Sequence, residues 1–494
     1  MSRIGIVKTA VLAALVAASG CTSRQVMKPS SVVPRGCEVL TAPADVPDTI
    51  SVALFETPDP ENAPLALRDA DALVYHHLYE TLITKDCTGE VRGALATTWE
   101  KSDRGRRWTF ELRDNARFWN GKPVTAWDVE WWWRTAMVKS LLQDAAIDSI
   151  AVRGERVLEV TFLRRHGSVP PVLSSTAFAV AAPSYGLGWP LGTGPFRIEE
   201  GALTLTRRGL CVRPASGAEV PVIHFVRAAA GDARDLIENG VDALVTADPD
   251  VIDYAADRAG LYTVSLPWSR TYVLLSTARA VTLRNGADAT GLSAELTDGL
   301  ARDAVRRDAR GSQQQFWWRE VDDCGGLAVT YSSLAGVPAF DPSAGTRRVV
   351  YDGEDAVARD LAERIVALAA EGASGSTASA EVCFALRYRK VDGVRITAEG
   401  VGASEMERSL RDGRDFAYII ALPHRAADPC FEARKLVRRA PWVSSLGDAI
   451  PDLLIPLVDT RSHLIADGRK VGAAVDWYGN VLLYGWSLEG SDLP

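Results

Sequence analysis

Cysteine is scarce in this chain. Seven occur among 494 residues, with no C-x-x-C pair, too few for a disulfide scaffold and without the spacing of a zinc knuckle or a dithiol redox site. Positive charge is also short. Lys and Arg number 55 against 63 Asp and Glu, a formal net charge of −8. No basic tail or stripe is present to neutralise phosphates, so nucleic acid is excluded as a partner. The signatures of hydrolytic and phosphate chemistry are missing too: there is no G-x-S-x-G, no H-E-x-x-H and no G-x-x-x-x-G-K. Trp189, Pro190 and Pro195 interrupt the glycines of 186–195, which argues against a dinucleotide loop. His76 and His77 are adjacent, so their rings point about 100° apart on a helix rather than toward one metal. Asp322 and Asp323 read as solvated surface. These absences move weight from catalysis to binding, with no catalytic residue, cofactor or metal expected.

What is present is a globular composition, 47% hydrophobic and 24% charged, which excludes a polytopic membrane protein and a wholly disordered chain. The length exceeds what one hydrophobic core organises, so two or three structural units are expected. Arg3 and Lys8 precede an apolar run from Val11 to Ala18 that ends in Ala18-Ser19-Gly20-Cys21. That is an export signal, too short for a spanning helix. It resembles a bacterial lipoprotein signal, in which Cys21 becomes the lipidated residue after cleavage; an ordinary cleaved signal is the alternative. Residues 22–47, rich in Ser, Pro, Thr and Val without periodicity, read as a tether. Export lets the remaining cysteines pair. A clip between Cys37 and Cys87 would pin the start of the folded body, Cys383 and Cys430 share a later segment, and buried unpaired thiols are the alternative.

Further along, Thr49 to Phe55 has strand character. Ala70, Leu73, Val74, Leu78 and Leu82 fall on one face of a predicted helix over 68–84. Trp108, Phe110 and Leu112 alternate with polar residues in a half-buried strand, as do Leu158, Val160 and Phe162. Asn120-Gly121 marks a turn, and Thr125 with Asp128 predicts a capping box before Trp131, Trp132 and Trp133. From Val220 onward, strands (222–226, 241–246, 272–276, 347–351, 416–422, 481–486) alternate with helices (231–239, 354–371), the pattern of an α/β protein.

One run is specific enough to name. Tyr79-Glu80-Thr81-Leu82, Gly89, the stretch Ala94 to Asp103, Trp108 to Arg113, and Phe118 to Val129 resemble family 5 extracellular solute-binding proteins, the oligopeptide-, dipeptide- and nickel-binding components of ABC importers. Gly192-Thr193-Gly194-Pro195-Phe196 and Pro267 to Ser276 are similar to later parts of that family. The resemblance is strong over 48–275 and weak over 280–415, where Asp303-Ala304-Val305-Arg306 is the nearest approach to an expected helix signature. Most of the matched residues are structural: Trp99, Trp108, Phe110, Leu112 and Phe118 read as core. Gln313 to Trp318 is read as helix packing rather than cleft lining.

The resemblance implies an α/β, two-lobed periplasmic-binding-protein type II fold with an additional domain. Lobe I would comprise 48–67, 184–272 and 463–494, the additional domain 68–183, and lobe II 273–462. It implies a monomer that closes on a small solute or peptide and delivers it to ABC permease subunits with their ATPase, held at a membrane surface by the lipid on Cys21. The expected cleft residues are Glu56, Trp268, Arg270, Tyr272, His424, Arg425 and Asp428. Asp428 would take an amino group, Arg270 or Arg425 a carboxylate, and Trp268 and Tyr272 apolar surface; a helix or turn cap is the alternative for Asp428. An exported enzyme or ligand sensor on the same fold is the competing function.

Overall fold

The computed structural model of the chain describes residues 24–26, 37–66, 68–184, 188–199, 210–215, 220–228, 233–277, 309–311, 317–318, 324, 346–373, 395–444 and 453–484. The export signal with Cys21, residues 22–23 and 27–36 of the expected tether, Asp303–Arg306, Gln313–Phe316 and Cys383 lie outside the described residues.

Two mixed sheets dominate. The first has seven strands in the order Phe196–Ile198, Leu210–Pro214, Val222–Arg227, Thr49–Leu54, Ala243–Thr246, His463–Asp467 and Leu261–Ser265. The second has six, in the order Ala309–Gly311, Leu454–Thr460, Arg270–Ser276, Ala417–Pro423, Thr346–Asp352 and Arg395–Val401. Thr49–Leu54 lies parallel to both of its neighbours, as does Thr346–Asp352, and burial on both faces selects apolar residues in their inner parts, Val52 to Leu54 and Val349 to Tyr351. The chain passes between the sheets twice, at Leu266–Ser269 and at Arg461–Ser462. These crossings lie side by side: Leu266 N–H donates to the Ser462 carbonyl (3.0 Å) and Ser269 N–H to that of Thr460 (3.2 Å). A single antiparallel ribbon thus joins the two halves.

A five-stranded antiparallel sheet forms the third unit, in the order Arg24–Val26, Ala96–Ser102, Arg107–Leu112, Val157–Phe162 and Ile147–Gly154. In Arg107–Leu112 the residues Trp108, Phe110 and Leu112 are buried while Arg107, Thr109 and Glu111 are not, as the alternation predicts. The capping box at Thr125 forms: Thr125 N–H donates to Asp128 Oδ2 (2.7 Å), and Asp128 N–H to Thr125 Oγ1 (3.4 Å). It opens the helix Ala126–Trp133.

The helix expected over 68–84 is shorter, Asp69–Leu78. Tertiary contacts override the periodicity there. Tyr79 turns extended, Glu80 bridges to Val180 and pairs with Arg113 (2.8 Å), and Ile83–Lys85 becomes a strand. The glycines of 192–195 pack against this helix end. A Cβ on Gly192 would fall 2.0 Å from the Leu78 carbonyl oxygen and 2.3 Å from the Trp119 ring, and one on Gly194 would fall 2.5 Å from the Leu78 carbonyl carbon. Both positions need glycine because backbone passes against backbone.

Cys37 and Cys87 are joined, and Glu38–Leu40 pairs with Ala473–Val475. The stretch read as a free tether to residue 47 is therefore part of the folded body in its last portion, because disulfide and ladder both hold it. The second disulfide is Cys324–Cys430. Trp317 and Trp318 are buried in the core of the six-stranded half, consistent with packing. Among the described residues no helix is long and apolar enough to cross a membrane.

Candidate functional site

Between the two sheets lies a cleft of about 530 Å³. One wall is the end of Thr49–Leu54 with Phe55 and Glu56, together with Val245 to Ala247; the other is Arg270, Tyr272, Ala421 to Pro423 and Arg425. The helix Asp69–Leu78, Ser175, Thr176 and the turn Tyr478 to Asn480 close the sides. Strand ends supply much of this lining, because a mixed sheet aims the loops after its parallel strands into the gap beyond their carboxyl ends.

Charge of both signs faces this space. Arg270 forms an ion pair with Asp69 across it. Arg68 donates to the Thr57 carbonyl (2.7 Å) and pairs with Asp71 (3.2 Å), while Glu56 lies 4.0 Å from Arg68. Partial burial holds the Glu56 carboxyl above the usual range; Arg68 pulls it down and Asp69 pushes it up. Arg425 stacks on the Trp477 ring (4.2 Å) and donates to the Trp477 carbonyl (3.0 Å). Lys435 and Glu432, on the helix Pro429–Arg439, pair at 3.0 Å and also line the cleft.

Four of the seven expected residues, Glu56, Arg270, Tyr272 and Arg425, line the cleft. Tyr272 is held from behind: its hydroxyl donates to both oxygens of Asp355 (2.9 and 3.0 Å), and Asp355 in turn accepts from the Ala358 N–H. The structure does not bring the other three into the lining. Trp268 sits on the ribbon, its ring 4.8 Å from the Arg461 guanidinium. His424 Nδ1 lies 3.0 Å from Thr271 Oγ1 and 3.3 Å from the buried Asp459 carboxylate. Asp428 is an N-cap: its Oδ1 accepts from Cys430 N–H (2.8 Å) and Phe431 N–H (3.1 Å), so the carboxylate expected for an amino group is committed to the helix start. Sequence reasoning missed Arg68, Asp69, Glu432 and Lys435. Their pairing across distant segments leaves no local signal.

The helix Pro429–Arg439 also reaches across to the third unit. Phe431 is fully buried, its ring 5.8 Å from that of Phe178. Arg434 donates to the Asp144 carbonyl (2.7 Å), and Arg438 pairs with the Asp144 carboxylate (2.6 Å).

Comparison with known proteins finds one family model and several relatives. Residues 90–206 match the profile described as bacterial extracellular solute-binding proteins, family 5 middle. Over those residues the chain is similar to this family. It is 41% identical over 61 residues to the periplasmic oligopeptide-binding protein OppA of Haemophilus influenzae and 43% identical over 61 residues to the periplasmic murein peptide-binding protein MppA of Escherichia coli. Each match spans 12% of this chain and 11% of the relative, so only about a tenth of those relatives is matched in sequence. The fold extends much further. The crystal structure of NikA from Staphylococcus aureus with Ni(L-His)2 superposes with a TM-score of 0.59 at 13% identity, covering 88% of this chain and 98% of that one. The fold of that structure, a type II periplasmic-binding-protein architecture, is therefore present, and the two sequence relatives are named as binding proteins.

Proposed function

We propose that this family 5 protein is the exported solute-binding component of an ABC importer, that it holds a peptide-sized zwitterion between its lobes, and that it delivers the solute to a membrane permease powered by its ATPase. In this reading it is a monomer, not an enzyme, and the lipid on Cys21 keeps it at the membrane surface. The observation that carries the reading is the cleft: a space of about 530 Å³ walled by both sheets and lined by Glu56, Asp69, Arg270 and Arg425. A zwitterion presents one charge of each sign, and charge-assisted hydrogen bonds to a guanidinium and a carboxylate recognise both ends. Contact with both walls favours the closed state by the difference in affinity between closed and open forms. The peptide-binding names of the relatives support the solute class.

The test begins with mass spectrometry of the solute that co-purifies with the chain, followed by calorimetry with that solute. Arg270→Gln and Arg425→Gln should each weaken binding by about 2–5 kcal/mol, the cost of leaving a desolvated partner charge unmatched. Asp428→Ala should instead lower stability by about 1 kcal/mol through loss of the cap and leave affinity unchanged. Unaltered affinity in both arginine variants would place the site elsewhere.

A further inference from the structure

The outer edge of the seven-stranded sheet carries a cluster that the cleft does not use. Cys211 stands directly opposite His224 in the antiparallel pairing of Leu210–Pro214 with Val222–Arg227. On its other side the pairing runs Ile198 to Val212, and Glu199 N–H donates to the Cys211 carbonyl (3.0 Å). Glu199, Cys211 and His224 thus form one row across three neighbouring segments. The row lies on the face opposite the buried Leu210, Val212, Ile223 and Phe225, so it faces solvent: His224 is exposed, and Glu199 and Cys211 are half-buried. One ligand atom from each residue lies within 4.8 Å of the others. None of the three lines the cleft.

We propose that Glu199, Cys211 and His224 form a surface site for one divalent transition-metal ion of the zinc class. The donor set is the argument. A thiolate, an imidazole and a carboxylate together suit a borderline ion, whereas calcium and magnesium select oxygen alone. Three protein ligands leave a fourth tetrahedral position for water. At zinc bond lengths of 2.0–2.3 Å the ligand atoms stand about 3.3–3.8 Å apart, so the site forms by drawing in the exposed His224 ring. The Cys211 thiol donates to Glu199 Oε2 at 2.6 Å, and binding the ion would displace that proton and move the two atoms apart by about 1 Å. The other carboxylate oxygen pairs with the Arg213 guanidinium, which leaves Oε2 as the metal ligand and offsets the negative charge of thiolate and carboxylate. Cys211 is the unpaired cysteine among the described residues. Sequence spacing gave no sign of the site, because strand register, not a motif, assembles it.

The test is titration of the full chain, disulfides intact, with cobalt(II) as a spectroscopic probe for zinc. The wild type should develop a thiolate-to-cobalt charge-transfer band that saturates at one ion per chain and is displaced by zinc. Cys211→Ser should abolish the band. His224→Ala, an exposed change that leaves the sheet intact, should weaken cobalt binding at least tenfold, with circular dichroism confirming the fold of both variants. Absence of the band in the wild type overturns the proposal, as does a band that survives Cys211→Ser, which would assign it to another thiol. Binding unchanged in His224→Ala overturns it as well.

Discussion

The third unit meets its two neighbours in different ways. Toward the seven-stranded sheet it has no boundary in the core: Trp99, Phe110, Trp133 and Phe178 of the third unit belong to one continuous apolar cluster with Val52, Phe196, Phe225 and Leu464 of the sheet. Toward the six-stranded half, Phe431 is the one residue of 273–462 in that cluster among the described residues, and polar contacts such as Arg434 and Arg438 on Asp144 stand beside it. The six-stranded half keeps two cores of its own, one on each face. A shared core cannot part without exposing large apolar area, whereas a seam of one aromatic and two arginines can open at modest cost. The shared core makes the third unit and the seven-stranded sheet one body, and in the proposed closing motion the six-stranded half would move against both.

The strongest way to break that comparison is to cut into the shared core. Phe196, fully buried against the His77 ring at 5.4 Å, should cost about 3–5 kcal/mol when truncated to Ala, and denaturant unfolding should still show the third unit and the seven-stranded sheet melting together. Separate transitions for the two would show that the core is not shared in energy. His77 sharpens the same point through pH. Its Nδ1 donates to the Leu73 carbonyl (2.7 Å) and its Nε2 accepts from Leu483 N–H (2.9 Å), so the native ring is neutral and joins helix to sheet. Burial lowers its pKa to about 4. In the unfolded chain histidine titrates near 6.5, so between these values the unfolded state binds the extra proton. The contribution is full above about pH 6.5 and is lost as pH falls toward 4, a change of about 3 kcal/mol. Chemical denaturation across that range should show the slope, and His77→Gln should flatten it; an equal slope in the variant would assign the titration to another group.

Smaller effects are expected at the other seam. Phe431→Ala should lower global stability by only about 1–2 kcal/mol, below the usual cost for a buried aromatic, because opening already exposes this ring. Small-angle scattering should show an expanded average shape. A loss equal to that of Phe196→Ala, without expansion, would make the two seams equivalent. Smallest of all is Arg438→Gln: the Arg438 side chain is 33% exposed, and partly solvated ion pairs contribute about 0.5–1 kcal/mol.

Much of this architecture was legible in the residues, and the parts that were not have physical reasons. Alternation placed Arg107–Leu112 because half-buried strands must alternate, and Thr125 with Asp128 announced a helix start because the capping box is local chemistry. The helix read over 68–84 overshot. Leu82 keeps the helical spacing, yet the Glu80–Arg113 pair and the Gly192–Gly194 backbone claim the chain after Leu78, and neither contact has a local trace. In the cleft, Arg270 and Tyr272 were found because their strand crosses between lobes. For Asp428 the sequence left ligand and helix cap both open, because Asp before Pro serves either use and the two look alike, and the structure shows the cap. Arg68, Asp69 and Lys435 were invisible for the reason the metal-type cluster was: only the three-dimensional pairing gives them meaning.

The ribbon through Leu266–Ser269 and Arg461–Ser462 behaves mechanically as a leaf spring. Its strands are paired on each side of the gap, Leu261 with Asp467 to Ser265 with His463 and then Arg270 with Thr460, with four residues crossing against two between them, so sliding along the strands would break ladder bonds at both ends while flexing across them breaks few. Pro267 offers no N–H where the spring is thinnest. In the proposed closing motion the ribbon would favour one axis, so that the two jaws return to the same bite each time they shut.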